Sequence, residues 1–419
     1  MKILLVHNSY QHRGGEDVVF EQERELLERG GHRVVVFRRS NEEIRAFTPL
    51  KRLALPCNTV WSSGVRDEFS SVLKREAPEI VHVHNTFVVI SPSIYSACRE
   101  NGIPVLQTLH NFRWMCPGAL FYRDGRICED CATDGLWNGI CHGCYRGSKA
   151  ATATIAITLA IHRHLRTWHN SIDLYITPTA FAREKFVAAG FPAAKIVVKP
   201  HFVDPEPVPG DGSGGYALYA GRLSAEKGLE TLLEAWALLP APIPLQIIGD
   251  GPERDGLEGF VRERRLSSVS FRGRLSKEAV LTAMRGARLA IVPSTAYETF
   301  GLVIVEAMSC GTPVLCSRLG AMQELVADRL TGLHFNPGDA QDLSQKITWA
   351  WDHPSELTAM RLAARRVYEK RYTARVNYAQ LVQLYSRVIA DRSPGLPHGQ
   401  PSGFHSKLCI SSQSQEQTP

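Results

Sequence analysis

The sequence predicts an α/β protein of two domains whose parallel sheets face one another across a cleft, with C-terminal helices packing back toward the first domain. Three observations predict it. The chain has 419 residues, and a single hydrophobic core stops growing at roughly 250–300 residues. Short apolar runs alternate with helical patterns, and strand–helix–strand repetition builds parallel sheets covered on both faces. The alternation pauses once, at PEPVPGDGSGG over residues 205–215, where Pro, Gly and Asp mark a linker.

Element by element, KILLVH reads as a first buried strand, VVFEQERELLERGG as a helix ending on Gly30 and Gly31, and HRVVVF as the next strand. Glycine there suits a left-handed helix C-cap. EIVHVHN, SPSIYSACRENG and PVLQTLHN repeat the unit; ATIAITLAIHRHLRTW, DLYITPT and FAREKFVAAG repeat it again, and KIVVKPHFVD closes the half. After the linker come GYALYAG, LETLLEAWALL, PLQIIGDG, ERDGLEGFVRERR, VSFRGR, KEAVLTAMRGA, LAIVPS, the stretch YETFGLVIVEAMSCG and PVLCS. The expected division is a first domain over 1–204, a second over 216–372, a crossover helix over 373–391 and a disordered tail over 392–419, rich in Pro, Ser, Gly and Gln.

Composition is that of a globular protein, with 44% hydrophobic and 21% charged residues. The net charge of +6 suits anionic small molecules or a membrane surface and falls short of the basic stripe of a nucleic-acid binder. MKILLVHNSY lacks the pattern of a signal peptide, and no run reaches the roughly 18–20 apolar residues of a transmembrane helix. A cytoplasmic location follows as the expectation, with peripheral contact at the inner membrane face as a variant of it. The ten cysteines are then thiols or metal ligands and not a disulfide framework.

Two stretches carry the chemistry. In YAGRLSAEKGLETLLEAW, a strand ends at Gly221, Arg222 and Lys227 occupy the loop, and a helix begins near Gly228. Two cations beside a helix N-terminus suit a phosphate or diphosphate; solvated loop residues are the bland alternative. In PSTAYETFGLVIVEAMSCG, Glu298 precedes a helix opening at Gly301 and Glu306 lies on it. At 1.5 Å rise per residue the two carboxylates stand on the order of 12 Å apart, enough to touch two parts of one extended ligand. Carboxylates accept paired hydroxyls, and the amides of Phe300, Gly301 and Leu302 are placed to hold an anion between them. A surface position on an amphipathic helix is the alternative for Glu306, weakened by the apolar residues around it.

GRLSAEKG followed by PSTAYETFGLVIVEAMSCGTPVL, together with HRGGEDVV, LHNF at His110 and KPHFVD, resembles the signature of the family 4 (group 1) retaining glycosyltransferases up to about Asp391. The resemblance implies the GT-B arrangement of two Rossmann-like domains and transfer of a sugar from a nucleotide-diphosphate sugar to a sugar or lipid-linked acceptor hydroxyl, in cell-surface polysaccharide or glycolipid synthesis. It implies that Arg222 and Lys227 neutralise the diphosphate and that Glu298 holds hydroxyls of the moving sugar. Glu306 would hold the ribose, and Phe300, Gly301 and Leu302 the sugar and phosphate through backbone amides. Gly14 and Gly15 resemble the glycine loop that closes on the donor, and His110 the active-site histidine. The GDGP and FRGR loops would border the base. Fixed cations and amide dipoles can stabilise a departing diphosphate without a metal, and the chain contains no Asp-x-Asp pair; no metal ligand or cofactor is assigned at the active site. A non-catalytic nucleotide-sugar-binding or scaffold protein is the competing reading.

The insert over 116–147 departs from the family pattern. It carries Cys116, Cys128, Cys131, Cys141 and Cys144, with two C-x-x-C pairs separated by nine residues. Such pairs suit a structural zinc that stiffens a loop with little core; reduced structural thiols stand as the equal alternative, and either way the insert is expected to wall the acceptor site. A zinc-dependent nucleic-acid module is disfavoured by the sparse basic and aromatic residues there. The following ATIAITLAIHRHLRTWHN is expected as a helix on the first sheet with His162, Arg163 and Arg166 toward solvent, or else as a membrane-interface segment.

Overall fold

The computed structural model describes residues 1–11 and 14–392. The tail beyond Arg392, read from sequence as disordered, and His12 and Arg13 of HRGGEDVV lie outside the described residues. The strands in chain order are β1 (Lys2–Ser9), β2 (Arg33–Ser40), β3 (Ile80–Asn85), β4 (Val105–Thr108), β5 (Tyr122–Arg123), β6 (Arg126–Ile127), β7 (Leu174–Thr177) and β8 (Ile196–Val198), then β9 (Ala217–Ala220), β10 (Leu245–Ile248), β11 (Val269–Gly273), β12 (Leu289–Val292), β13 (Val314–Ser317) and β14 (Gly332–Phe335). They form two six-stranded sheets, ordered β2-β1-β3-β4-β7-β8 and β11-β10-β9-β12-β13-β14. Every recorded pairing in both is parallel. The α/β, two-sheet architecture expected from the alternation is therefore present.

Burial explains the reading. β3 and β12 are buried at every position, as strands covered on both faces must be. The helix Gly15–Arg29 turns Val19, Phe20, Glu23, Leu26 and Leu27 inward, the 3.6-residue stripe of a core-facing helix. Gly31 takes φ +80 just after it.

Each sheet reverses its winding once. In the first, β1 runs outward to β2 and the chain returns to place β3 on its other flank; in the second, β9 is flanked by β10 and later by β12. Crevices open outside the carboxyl ends of strands at such switch points.

Three features differ from the sequence reading. No element is read between the HRVVVF strand and Pro78 or between Ser317 and the C-terminal helices that start near Glu356, yet helices Pro49–Val60 and Ser63–Glu76, strand β14 and helix Ala340–Asp352 lie there. GLHF is only four residues long, and the helix Pro49–Val60 buries Thr59 alone, so neither shows a clear period. The segment 205–215 is no free tether: Gly210, Gly212 and Gly214 amides bond to the carbonyls of Cys310, Arg285 and Gly286 at 2.9, 3.1 and 2.9 Å. Finally, His162 on the helix Lys149–His164 does not point to solvent. It is 1% exposed, and its ring nitrogens bond Val60 O at 2.8 Å and Thr167 Oγ1 at 2.9 Å; Arg163 donates to Trp114 O at 2.8 Å, while Arg166 is exposed.

The helix Pro354–Arg371 packs into the second domain through Leu357, Met360, Ala364 and Tyr368. The helix Ala374–Arg392 returns to the first, where Leu381, Tyr385 and Val388 join the core of Ile3, Leu5, Phe20 and Leu106.

Candidate active site

The loops after β9 and β12 leave neighbouring strands at the second sheet's switch point. The first, residues 221–228, ends on Gly228, whose φ is +67 and where a Cβ would lie 2.0 Å from Pro293 O. Only glycine lets the two loops meet so closely. Their contact brings Lys227 Nζ to 2.5 Å from Glu298 Oε1, with Ser294 Oγ donating to the same oxygen at 3.1 Å. Burial works against both charges, yet each outweighs it for the other: Glu298 is held below the ordinary carboxyl range and Lys227 above the ordinary ammonium range. Arg222 is exposed and close enough to oppose the Lys227 charge.

Gly301, with φ +89, caps the helix Leu302–Ser309 directly after this ion pair. Among the described residues none accepts from the amides of Phe300, Gly301 or Leu302. Two cations, one carboxylate and an open helix N-terminus therefore share one place, an arrangement that attracts an anion bearing hydroxyls.

Glu306 lies on that helix, half-buried, and no described residue hydrogen bonds to its carboxyl or joins it to the Lys227–Glu298 pair. Burial pushes it up to about 7, with Lys277 opposing. The GDGP loop abuts the cationic loop, Leu223 N bonding Asp250 O at 3.1 Å, and Gly273 of FRGR accepts from Gly249 N at 2.9 Å.

His110 approaches from the first domain, just beyond β4. Its carbonyl accepts from Thr299 Oγ1 at 2.6 Å, one residue from Glu298. Its ring bonds His84 at 2.9 Å and neighbours His201, which in turn packs edge-on against Phe300 at 5.0 Å between centroids. Burial drives all three imidazoles toward the neutral form, His201 to about 3. Gly14 caps the helix that opens at Gly15, and Asp17 on its first turn accepts from Gly14 N at 3.0 Å and bonds His7 at 2.9 Å. The same turn brings Glu16 to Asn111 at 3.0 Å, next to His110.

Further contacts fasten the two halves. Thr179 Oγ1 donates to Thr299 O at 2.8 Å, Glu324 accepts from the amides of Ala180 and Phe181 at 3.0 and 2.9 Å, and the Lys185 ammonium lies 4.7 Å over the Tyr297 ring.

The cysteine insert carries the hairpin of β5 and β6 and folds onto the first core, where Cys116 and Phe121 join Phe112 and Trp114. Cys116 and Cys131 are buried, Cys128 and Cys144 half-buried, and Cys141 is exposed; all are free thiols. Among the described residues, metal-binding reach gathers Glu23, His82 and His84 but no set of these sulfurs. Burial raises the thiols of Cys128, Cys131 and Cys144, that of Cys131 to about 12, and Cys116, Cys128 and Cys144 lie close enough to Cys131 to oppose its thiolate as well. The insert nevertheless borders the cleft, with Thr295 Oγ1 donating to Tyr122 OH at 3.5 Å.

Sequence reading passed over Ser294, Thr299, Glu16, Glu23, His84 and His201. For the histidines a signal existed: HVHN places two imidazoles in an otherwise apolar buried strand, where polar groups need partners.

The profile of the Glycosyltransferase Family 4 matches residues 12–207 and that of Glycosyl transferases group 1 matches 206–367. An uncharacterized glycosyltransferase of Methanocaldococcus jannaschii is 34% identical over 137 residues, 33% of this chain and 38% of that protein. Glycogen synthase of Mycobacterium tuberculosis is 35% identical over 153 residues, 36% of this chain and 37% of that one; the match thus spans well under half of either relative. The alpha-D-kanosaminyltransferase of Streptomyces kanamyceticus is 25% identical over 75% of this chain and 79% of its own. Among solved structures, sucrose-phosphate synthase of Thermosynechococcus elongatus superposes with a TM-score of 0.70 at 20% identity, covering 93% of this chain and 99% of that one. Anabaena HepE in complex with UDP and glucose gives 0.67 at 20% identity, covering 92% and 100%. With one family profile on each half and this two-sheet fold, the chain belongs to the group 1 (family 4) glycosyltransferases and has their GT-B architecture.

Proposed function

We propose that this glycosyltransferase moves a sugar, with retention of anomeric configuration, from a nucleotide-diphosphate sugar to the hydroxyl of a sugar or lipid-linked acceptor in cell-surface polysaccharide or glycolipid synthesis. The observation that carries the reading is the Lys227–Glu298 pair, set beside Arg222 and the open amides of Phe300, Gly301 and Leu302. Lys227 and Arg222 take the charge that grows on the departing diphosphate, as fixed cations in a partly dry site do at no cost of reorganisation. Glu298 accepts hydroxyls of the moving sugar, Glu306 the ribose diol, and the GDGP and FRGR loops border the base. His110 and the Gly14–Gly15 turn close the sugar side from the first domain. The departing phosphate removes the acceptor proton on the same face, so neither a carboxylate nucleophile nor a metal is called on. Solved relatives of this fold hold UDP or UDP-glucose, which makes UDP-sugars the first donors to try.

A peripheral membrane contact completes the proposal. Residues 44–66 and 135–172 contain no Asp or Glu, and they meet where the helices Pro49–Val60 and Lys149–His164 pack together. The two segments expose Leu50, Leu53, Ile157 and Leu165 at 76, 79, 50 and 59% and carry Lys51, Arg52 and Arg166 next to them in the chain. Exposed apolar side chains on basic segments that lack acidic residues suit an anionic lipid surface. No helix among the described residues is long and apolar enough to cross a membrane.

The test is a panel of nucleotide sugars, first for thermal stabilisation, since a ligand of the folded state raises the melting temperature, and then for turnover with acceptor extracts. Binding without turnover on any acceptor overturns the enzyme reading in favour of a silent nucleotide-sugar binder.

A further inference from the structure

A buried polar chain runs from the second half of the molecule into the crevice at the first sheet's switch point. Lys199 Nζ lies 2.7 Å from Glu23 Oε1 and 3.0 Å from Asn377 Oδ1. Glu23 Oε2 then faces His84 Nε2 at 3.6 Å, and His84 Nδ1 meets His110 Nε2 at 2.9 Å. Lys199, Glu23 and His84 are 1, 0 and 3% exposed. The His84 and His110 rings lie 21° from coplanar with centroids 5.1 Å apart, so they meet edge to edge along a hydrogen bond.

Glu23, His82 and His84 also lie within metal-binding reach, but a cation finds little welcome there. Both His82 nitrogens are taken, by Tyr385 OH at 2.7 Å and Thr108 Oγ1 at 2.8 Å, and the Lys199 ammonium already neutralises Glu23.

What the site does leave is two buried polar atoms facing each other at 3.6 Å, Glu23 Oε2 and His84 Nε2, neither with a hydrogen-bond partner, so the contact between them is electrostatic. A carboxylate only accepts, and a neutral imidazole carries one donor and one acceptor nitrogen. Against a carboxylate oxygen the stable arrangement puts the His84 proton on Nε2. His84 Nδ1 is then a lone pair, so the proton in the bond to His110 belongs to His110 Nε2.

We propose that Glu23 is a positioning residue that, through His84, holds His110 as its Nε2–H tautomer and leaves His110 Nδ1 a bare acceptor for a ligand hydroxyl. The proposal deepens the active-site reading and rests on it for the role of His110. No described residue bonds His110 Nδ1, and the ring borders a crevice with Asn111 and Arg113.

Glu23→Gln inverts the relay without changing its shape. The amide oxygen keeps the Lys199 bond, which forces the NH2 group toward His84 Nε2. That nitrogen must then accept, His84 Nδ1 donates, and His110 becomes the Nδ1–H tautomer. Nitrogen-15 NMR of histidine-labelled full-length protein reads the tautomer directly, with the His110 signals assigned by their loss in His110→Gln. The expected result is Nε2–H in the wild type and Nδ1–H in Glu23→Gln. A wild-type His110 with Nδ1–H, or an unchanged tautomer in folded Glu23→Gln, overturns the relay; should that variant not fold, the wild-type spectrum decides alone. The readout needs no donor, so it separates from the active-site reading: full transfer by His110→Ala with the stated tautomers removes the catalytic role of His110 and leaves the relay standing.

Discussion

Replacing Glu306 by glutamine tests two things at once. Burial lifts this carboxyl from 4.5 to about 7, so free protein is roughly a tenth ionised at pH 6 and about nine-tenths at pH 8. If the carboxylate grips the ribose diol, the dissociation constant for UDP-glucose, whose diphosphate does not titrate in this range, falls about tenfold between pH 6 and pH 8. Glu306→Gln should weaken binding at pH 8 and flatten that profile. Stability moves the other way. A carboxyl whose folded value is raised costs nothing below its unfolded value and penalises the fold as pH climbs through the folded one. At 1.36 kcal/mol per unit the rise from 4.5 to about 7 sets a ceiling of about 3 kcal/mol, and solvent at this half-buried position trims it. Glu306→Gln should therefore melt higher than wild type at pH 8, with the gap closing as pH falls toward 4.5. Isothermal titration from pH 6 to 8 and thermal melts over pH 4.5–8 supply both readouts. A wild-type affinity that is flat across this range removes the ribose role; an unchanged melting temperature at pH 8 refutes the burial argument.

Glu298→Ala should abolish transfer while nucleotide affinity, measured by titration, stays within about threefold, because Lys227 keeps its charge; wild-type turnover would remove Glu298 from the site. Lys227→Ala should cost turnover more than Lys227→Arg, since charge counts most there, and equal losses would point to packing. Asp at both Leu50 and Leu53 should release the protein from vesicles containing anionic lipid in a sedimentation assay and leave turnover of a soluble acceptor unchanged; undiminished vesicle binding removes that face. Mass mapping after brief alkylation of the folded protein should find Cys57 and Cys141 modified before Cys98, Cys116, Cys131, Cys310 and Cys316, following their exposure, and a zinc chelator should leave the melting temperature unchanged. A chelator-induced drop would show that zinc holds the insert.

The legible part of the site consists of residues tied to local signals. Arg222 and Lys227 stand between an apolar strand and a glycine, and Glu298 sits at the mouth of a helix announced by Gly301, so turn chemistry marks them within a dozen residues. Their mutual contact was not legible: Lys227 and Glu298 are 71 residues apart, and only the adjacency of β9 and β12 joins them. The same holds for Glu23, which in VVFEQERELLERG looks like one more charge on an amphipathic helix. Its burial appears only once Lys199, at a separation of 176 residues, and the returning C-terminal helix cover it. The thiols are a mixed case, since spacing in C-x-x-C pairs suggested a metal, and the fold gathers Cys116, Cys128 and Cys144 around Cys131 while leaving Cys141 exposed.

By itself, then, the amino-acid order determined the element types, the pause between two domains, and which loops carry cations and carboxylates, because periodicity and turn chemistry act over a few residues. Tertiary structure alone decided which charges meet, which histidine faces which, and which apolar residues stay outside. Those outcomes depend on strand order and on helices that close across long separations, and a linear string holds no measure of either.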